Sequence, residues 1–154
     1  MDDFPEIKTL LPHKEPMILI DKLIAIETKS VHCQVLICEQ SPFFDQQTEA
    51  VGSHIGIEYM AQTIAIWSGY YGLLEGKPPS IALLLGCRDY KSACAKFKKG
   101  VFLDIYAEQF FVSGRMAVFS CSIKSKGKEL INGKLKVFMP DIKHLEKMLS
   151  AEEK

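Results

Sequence analysis

The stretch from His54 to Glu75 reads HIGIEYMAQTIAIWSGYYGLLE and differs from the sequence on either side of it. Its large apolar residues recur at mixed spacings of three and four positions, which predicts a long helix that is apolar on most faces. The following Gly76-Lys77-Pro78-Pro79 marks its end. The helix is long enough to cross a bilayer, but its polar side chains and the absence of a Lys/Arg flank argue against membrane insertion.

Strand patterns surround this helix. Apolar or alternating segments precede and follow it at Met17 to Glu27, Ser30 to Glu39, Ile81 to Tyr90, Val101 to Phe111, Arg115 to Lys126 and Glu129 to Met139. Turn signals between them are Thr28-Lys29, Ser113-Gly114 and Lys126-Gly127. A short amphipathic helix is predicted from Ile142 to Leu149. Because a helix that is apolar all round must be covered, the order predicts an α+β fold with an antiparallel sheet wrapped around one long central helix.

The composition limits the class of protein. With 154 residues, 47% of them hydrophobic, the chain is expected to form one domain over residues 1–154. Nineteen basic side chains balance nineteen acidic ones, so no nucleic-acid partner is expected. The acidic N-terminus is unlike a secretory signal, which favours a cytoplasmic location. The five cysteines form no C-x-x-C pair and are expected to be buried thiols rather than disulfides or zinc ligands.

Two motifs carry a family resemblance. LPHKEPMILIDK, residues 11–22, resembles the opening L-P-H-R-x-P-(F/M)-x-L-(V/I)-D-(R/K) signature of β-hydroxyacyl-acyl-carrier-protein dehydratases. GIEYMAQ, residues 56–62, resembles the V-E-x-M-A-Q segment that carries their acidic catalytic residue, and it is also similar to the dehydratase-like subunits of aryl-polyene and related lipid pathways. The resemblance implies the hotdog fold over essentially the whole chain and a role in fatty-acid or polyene-type lipid biosynthesis.

The implied reaction is dehydration of a 3-hydroxyacyl thioester. It needs a base for the C2 proton, an acid for the departing hydroxyl and donors for the thioester oxygen, and it needs no cofactor and no metal. The resemblance assigns the acid to Glu58, which an apolar environment would keep protonated. It assigns the oxygen-binding amides to Gly52, Ser53 and His54, at the start of the helix.

One position departs from the family. The family's catalytic histidine precedes the acid by fourteen residues, where this chain has Phe44. His54, four residues before Glu58, is a candidate replacement because that spacing places two side chains on one helix face. Phe44, Gly52, Ser53 and Gln62 are the predicted substrate contacts. A structural role stays open for the two candidate catalytic residues, Glu58 as a buried acceptor and His54 as a helix cap.

The helix face that continues from Glu58 carries a small-residue stripe. It is formed by Gln62, Ala65, Gly69 and Gly72. Such a stripe can accommodate a thin acyl chain or the backbone of a close partner, or it can reflect tight packing of the helix.

Three functions remain open from the sequence. The chain is a 3-hydroxyacyl thioester dehydratase that uses Glu58 with His54, an acyl thioesterase in which Glu58 activates water, or a non-catalytic or half-catalytic subunit that binds acyl chains or completes a partner's site. The substrate would be held by an acyl carrier protein or coenzyme A, and the resemblance implies a homodimer or larger assembly, or a heteromer with a related dehydratase. A basic segment with five cations and one carboxylate, a local net charge of +4, could receive an acidic carrier protein or be solvated: Arg88, Asp89, Lys91, Lys96, Lys98 and Lys99.

Overall fold

The structure, a computed structural model, describes residues 3–79, 82–140 and 142. Two 3-10 turns, Ile7–Thr9 and Ser53–Ile55, accompany the longer elements. In chain order these are β1 (Lys22–Glu27), β2 (Ser30–Leu36), β3 (Phe44–Asp45), β4 (Ala50–Gly52), α1 (Gly56–Leu74), β5 (Leu83–Ser92), β6 (Lys96–Lys98), β7 (Phe102–Ser113), β8 (Met116–Ser125) and β9 (Lys128–Phe138).

The main sheet has six strands in the order β1-β2-β7-β8-β9-β5, and every neighbouring pair is antiparallel. Tight hairpins join β1 to β2 and β8 to β9. In the second hairpin Lys126 and Gly127 both have positive φ, 52° and 79°, which matches the right-handed twist of the strands that the turn connects. The predicted α+β class and the predicted hairpins are therefore confirmed.

Helix α1 packs against the inner face of this sheet. Alternating residues of the strands, such as Ile105 on β7 and Phe119 on β8, have no solvent exposure and meet Met60, Ile64 and Trp67 of the helix in one core cluster. Burying each such side chain stabilises the fold by roughly 1.5–3 kcal/mol. The sheet and the helix thus share one apolar core, and this packing fixes the position of the helix.

The sequence did not predict every strand correctly. Residues 17–21, predicted as the start of the first strand, lie outside β1. Met17 and Leu19 bond to Gln62 of helix α1, whereas the Asp21 N–H donates to the Gln34 carbonyl of β2. The short strands β3, β4 and β6 form a second sheet that was not predicted, because two or three residues cannot display an alternating pattern. The predicted terminal helix lies outside the described residues apart from Ile142, which is buried.

All five cysteines are free thiols, but they differ in burial. Cys33 and Cys121 are buried, whereas the other three, Cys38, Cys87 and Cys94, are only partly buried. The expectation that every thiol is buried was therefore wrong for three positions. Of these three, Cys87 lies in the edge strand β5, whereas Cys38 follows β2 and Cys94 follows β5, both outside the strands.

Candidate active site

The chain enters the central helix through a short turn. Gly52 is extended, with φ −62° and ψ 141°, and Ser53–Ile55 form the 3-10 turn before α1 starts at Gly56. The Ser53 N–H donates to the Ala95 carbonyl at 2.9 Å, and the Ser53 carbonyl accepts from the Tyr90 hydroxyl at 2.9 Å. The turn is therefore held on both sides by β5 and the segment that follows it.

Gly56 lets the first turn of the helix approach the sheet closely. A β-carbon on Gly56 would lie 2.8 Å from Cδ1 of Ile131 and 3.2 Å from Cδ1 of Ile123. Both isoleucines are fully buried on the inner face. A larger residue would therefore push the helix start, and Glu58 with it, away from β8 and β9.

Glu58 lies in the first turn of α1, and its side chain is exposed. The expectation that the apolar helix would surround this carboxyl, and the alternative that it is a buried acceptor, are both wrong for the single chain. The rest of the helix is apolar because its other faces are covered, whereas this position faces outward. In the first turn a carboxylate also interacts favourably with the helix dipole.

His54 lies in the 3-10 turn and is exposed. Its ring lies against Gly52, since a β-carbon on Gly52 would be 2.5 Å from Cε1 of His54. A 3-10 turn advances the chain by three residues per turn rather than 3.6, so the spacing to Glu58 is not that of one continuous α-helix. Within the described part of the chain the two side chains form no hydrogen bond or ion pair with each other, and the expectation that they meet on one helix face stays a prediction.

The three predicted oxygen-binding amides are not equivalent. The Ser53 N–H is used by Ala95, so in this conformation it cannot bind a thioester oxygen. Gly52 ends a strand and pairs with Lys96 of β6. The prediction is thus wrong for the Ser53 amide as it stands, because sequence alone could not show that β6 lies beside the turn.

Phe44 occupies β3 and pairs with Val51 of β4. Its side chain is partly buried and packs against the core. The position of the family's histidine therefore holds an aromatic ring with no titratable group. A contact between this ring and the substrate stays a prediction.

Gln62 is 2% exposed, and both ends of its amide bond the chain's own N-terminal segment. Its Oε1 accepts from the Leu19 N–H at 2.9 Å, and its Nε2 donates to the Met17 carbonyl at 2.7 Å. Gln62 thus fixes residues 17–19 against the helix. This structural role was not predicted, and the contact of Gln62 with substrate stays a prediction.

The small-residue stripe on α1 is covered by the same segment. The Leu10 carbonyl oxygen lies 1.9 Å from the ideal β-carbon position of Gly69. A close backbone therefore lies on the stripe at Gly69, but it belongs to the same chain and not to a partner. Gly72, further along, has nothing within 4 Å of its β-carbon position.

The basic segment along β5 and β6 is largely solvated. Its cations are exposed, and Lys99 pairs with the Glu39 carboxylate. Among the described residues, no three or more His, Cys, Asp or Glu side chains are grouped so as to hold a metal ion. In the same part of the chain, no helix is long and apolar enough to cross a membrane.

Comparison with known proteins gives a family and a related structure. The model of the ApeP-like family, described as ApeP dehydratase, matches residues 5–150. The chain is also similar to the structure of the dehydratase heterocomplex ApeI:P from Xenorhabdus doucetiae, with 28% sequence identity and a TM-score of 0.84 over 96% of this chain and 99% of that chain.

More distant structures share the fold. A hypothetical thioesterase from Streptococcus pneumoniae, solved with coenzyme A, has 10% identity and a TM-score of 0.60, covering 77% of this chain and 87% of that chain. A virulence protein from Campylobacter jejuni has 12% identity and a TM-score of 0.65, covering 88% of each. At such identities the likeness shows the fold alone, and it agrees with the predicted hotdog fold. The family match spans nearly the whole sequence, and the chain belongs to the ApeP-like dehydratase family.

Proposed function

We propose that this chain takes part in the dehydration of a 3-hydroxyacyl thioester carried by an acyl carrier protein or coenzyme A, in fatty-acid or polyene-type lipid biosynthesis. We further propose that a second, related subunit completes its site. The observation that carries the proposal is the exposed Glu58 carboxyl in the first turn of the central helix, inside the motif shared with dehydratases.

The reaction requires three events at one place. A base takes the C2 proton, the electron pair of that C–H bond forms the C2=C3 double bond, and the C3 hydroxyl leaves as water after it accepts a proton from an acid. The thioester oxygen carries partial negative charge in the transition state and needs donors. In this proposal Glu58 supplies the proton to the hydroxyl, and no cofactor takes part.

The need for a second subunit follows from what surrounds Glu58. Phe44 replaces the histidine of the family, and the His54 imidazole forms no hydrogen bond or ion pair with the Glu58 carboxylate. The related structure from Xenorhabdus doucetiae is a heterocomplex, which supports a partner that supplies the missing base. His54 is the alternative base, and a homo-oligomer would then suffice.

A covering subunit would also change the chemistry of the carboxyl. Removing a carboxyl from water penalises its charged form, so a subunit placed over Glu58 favours the protonated acid that the reaction needs. In the single chain the same carboxyl faces solvent. Assembly would therefore place this carboxyl in the water-excluded environment that a proton donor needs.

Thioester hydrolysis, the other enzymatic function that the sequence left open, has no specific support. The thioesterase structure shares 10% identity with this chain and supports the fold only. Release of free thiol from an acyl thioester without formation of an enoyl product would nevertheless select hydrolysis over dehydration.

The decisive experiment is reconstitution. The chain alone, a histidine-bearing relative from the same pathway alone, and the co-expressed pair are assayed for conversion of a 3-hydroxyacyl thioester to the enoyl thioester. We expect the pair to turn over at least about 10²-fold faster than this chain alone. If the chain alone is fully active and His54→Ala abolishes its turnover, His54 is the base and the proposed second subunit is rejected. If no combination dehydrates the substrate, the proposed function fails.

A further inference from the structure

Strand β5 contains a bulge close to the turn that leads into α1. Arg88 pairs with Lys134 and Lys91 pairs with Asn132, so the two residues between them, Asp89 and Tyr90, face a single residue of β9. Asp89 has a φ of +54°, which is the left-handed conformation that bulges can require. A bulge reorients side chains out of the regular alternation, and here the reoriented residue is Tyr90.

Two glycines leave room for the Tyr90 side chain. A β-carbon on Gly133, the residue of β9 that faces the bulge, would lie 3.3 Å from Cδ2 of Tyr90. A β-carbon on Gly56, at the start of α1, would lie 3.3 Å from the Tyr90 hydroxyl oxygen. The ring therefore passes between the sheet and the first turn of the helix, where larger residues would crowd it.

The hydroxyl of Tyr90 ends on the turn itself. It donates to the Ser53 carbonyl at 2.9 Å, and the same carbonyl accepts the N–H of Gly56. Burial, followed by the nearby Cys87 and Cys94, raises the pKa of Tyr90 above its usual value, which keeps the hydroxyl protonated as a donor. The bond thus fixes the peptide that precedes His54 and, through Gly56, the turn that carries Glu58.

We propose that Tyr90 is a positioning residue of the dehydratase site, because its hydroxyl holds the Ser53 carbonyl and thereby sets the placement of His54 and of the first turn of α1. The inference rests on the proposed function, since it assigns to that site a residue outside both sequence motifs. Tyr90 acts through the turn and touches no reacting atom.

The test is Tyr90→Phe in the assembly that shows dehydratase activity. The change removes only the hydroxyl, and the matched control is Tyr106→Phe, because Tyr106 stacks on His32 on the outer face of the sheet. We expect kcat to fall roughly tenfold in Tyr90→Phe while KM stays within about twofold, as for a loss of alignment in the transition state. The control should match the unmodified protein.

Amide hydrogen exchange gives a readout that does not depend on activity. Losing one hydrogen bond worth about 1 kcal/mol should speed exchange of the Ser53 and Gly56 amides roughly fivefold in Tyr90→Phe. Amides in the middle of β8 should be unchanged. Gly133→Ala, which keeps the hydroxyl but crowds the ring, should change the same amides and lower kcat in the same direction.

The exchange rates and kcat test the role of Tyr90, whereas dehydration by the unmodified assembly tests the proposed function. Faster exchange at the turn together with a lower kcat supports that role of Tyr90. Unchanged exchange at Ser53 and Gly56 overturns it, whatever the activity, and so does faster exchange with an unchanged kcat. If the unmodified assembly shows no dehydration at all, the proposed function fails and the assignment of Tyr90 as a positioning residue of that site is overturned with it.

Discussion

The carbonyl oxygen of Leu10 occupies the space that a side chain on Gly69 would need, 1.9 Å from the ideal β-carbon position. Both residues are buried, with Leu10 at 0% exposure. The N-terminal segment is therefore part of the cover of the central helix and not an appendage to it. Because of this contact, even a change of Gly69 to alanine should lower the stability of the protein.

Gly69→Ala should destabilise the protein by about 3 kcal/mol or more, because a backbone carbonyl must move to admit the methyl group. Thermal unfolding should shift down by roughly 6–12 °C for a chain of this size. The matched control is Gly72→Ala, where the added methyl meets nothing within 4 Å and helix propensity predicts a gain of up to about 1 kcal/mol. Equal effects at the two glycines would contradict the packing argument.

Gln62→Leu removes both bonds that fix the N-terminal segment. The Leu19 N–H and the Met17 carbonyl would lose their partners, and each buried unsatisfied group costs about 1–3 kcal/mol. We expect urea denaturation to show a loss of roughly 2–4 kcal/mol. Asn132→Ala, which removes an exposed hydrogen bond to Glu129, should cost less than about 1 kcal/mol. A similar loss for both variants would contradict the stabilising role of the two Gln62 hydrogen bonds.

Glu58→Gln should lower turnover of the active assembly by about 10²-fold or more, because the amide keeps the shape but cannot donate the acid proton. Its melting temperature should change little, since the side chain is exposed and the dipole effect lost is below about 1 kcal/mol. Glu108→Gln, at another exposed carboxylate on β7, is the control and should leave both quantities unchanged. Full turnover in Glu58→Gln would remove Glu58 from the mechanism.

We expect the folded protein to lose stability at alkaline pH because two of its thiols are buried. Burial raises the pKa of Cys33 and of Cys121 from 9.0 to about 12. The folded state then holds these protons more tightly than the unfolded state does, so their contribution to stability is complete below pH 9 and is lost as the pH rises from 9 towards 12. Urea midpoints measured across this range should fall, and the fall should be smaller in a Cys33→Ala/Cys121→Ala variant.

We expect two or more chains to associate through the edge strand β5. Leu83 and Leu85 on this edge strand are 52% and 51% exposed, and an uncovered apolar edge favours pairing with another strand. Light scattering at micromolar concentration should give at least twice the 17.3 kDa of one chain. Leu85→Lys should shift the mass toward the monomer, whereas Ala25→Lys, on the opposite edge strand, should not.

Much of the fold follows from patterns that one sequence displays. The alternation in β7 to β9 and the uniformly apolar helix predict a wrapped sheet, because inward-facing residues such as Ile105 and Leu135 recur at the period of a strand. Residues 17–21 were wrongly included in a strand because an apolar run alone does not show whether it pairs with a strand or packs against a helix. Gln62, far along the chain, holds Met17 and Leu19 of this run against the helix.

The site was harder to predict than the fold. Helix α1 begins at Gly56 and not at His54 as predicted, so His54 lies in the preceding 3-10 turn. Sequence periodicity cannot resolve a difference of two residues at a helix boundary. The outward orientation of Glu58 depends on which helix faces the sheet covers. Tyr90 had no motif to mark it, and only the bulge beside Gly133 brings its hydroxyl to Ser53.

The backbone that lies on Gly69 also restricts where the acyl tail of the proposed substrate can run. Within one subunit, the protein's own N-terminal segment already covers the small-residue stripe of α1 at Gln62 and Gly69. If the proposed thioester binds with its reactive end at Glu58, its acyl tail must therefore extend along a different wall, and selection for tail length falls to residues outside this face of the helix. Enlarging Gly69 would alter stability without altering which tail lengths are accepted.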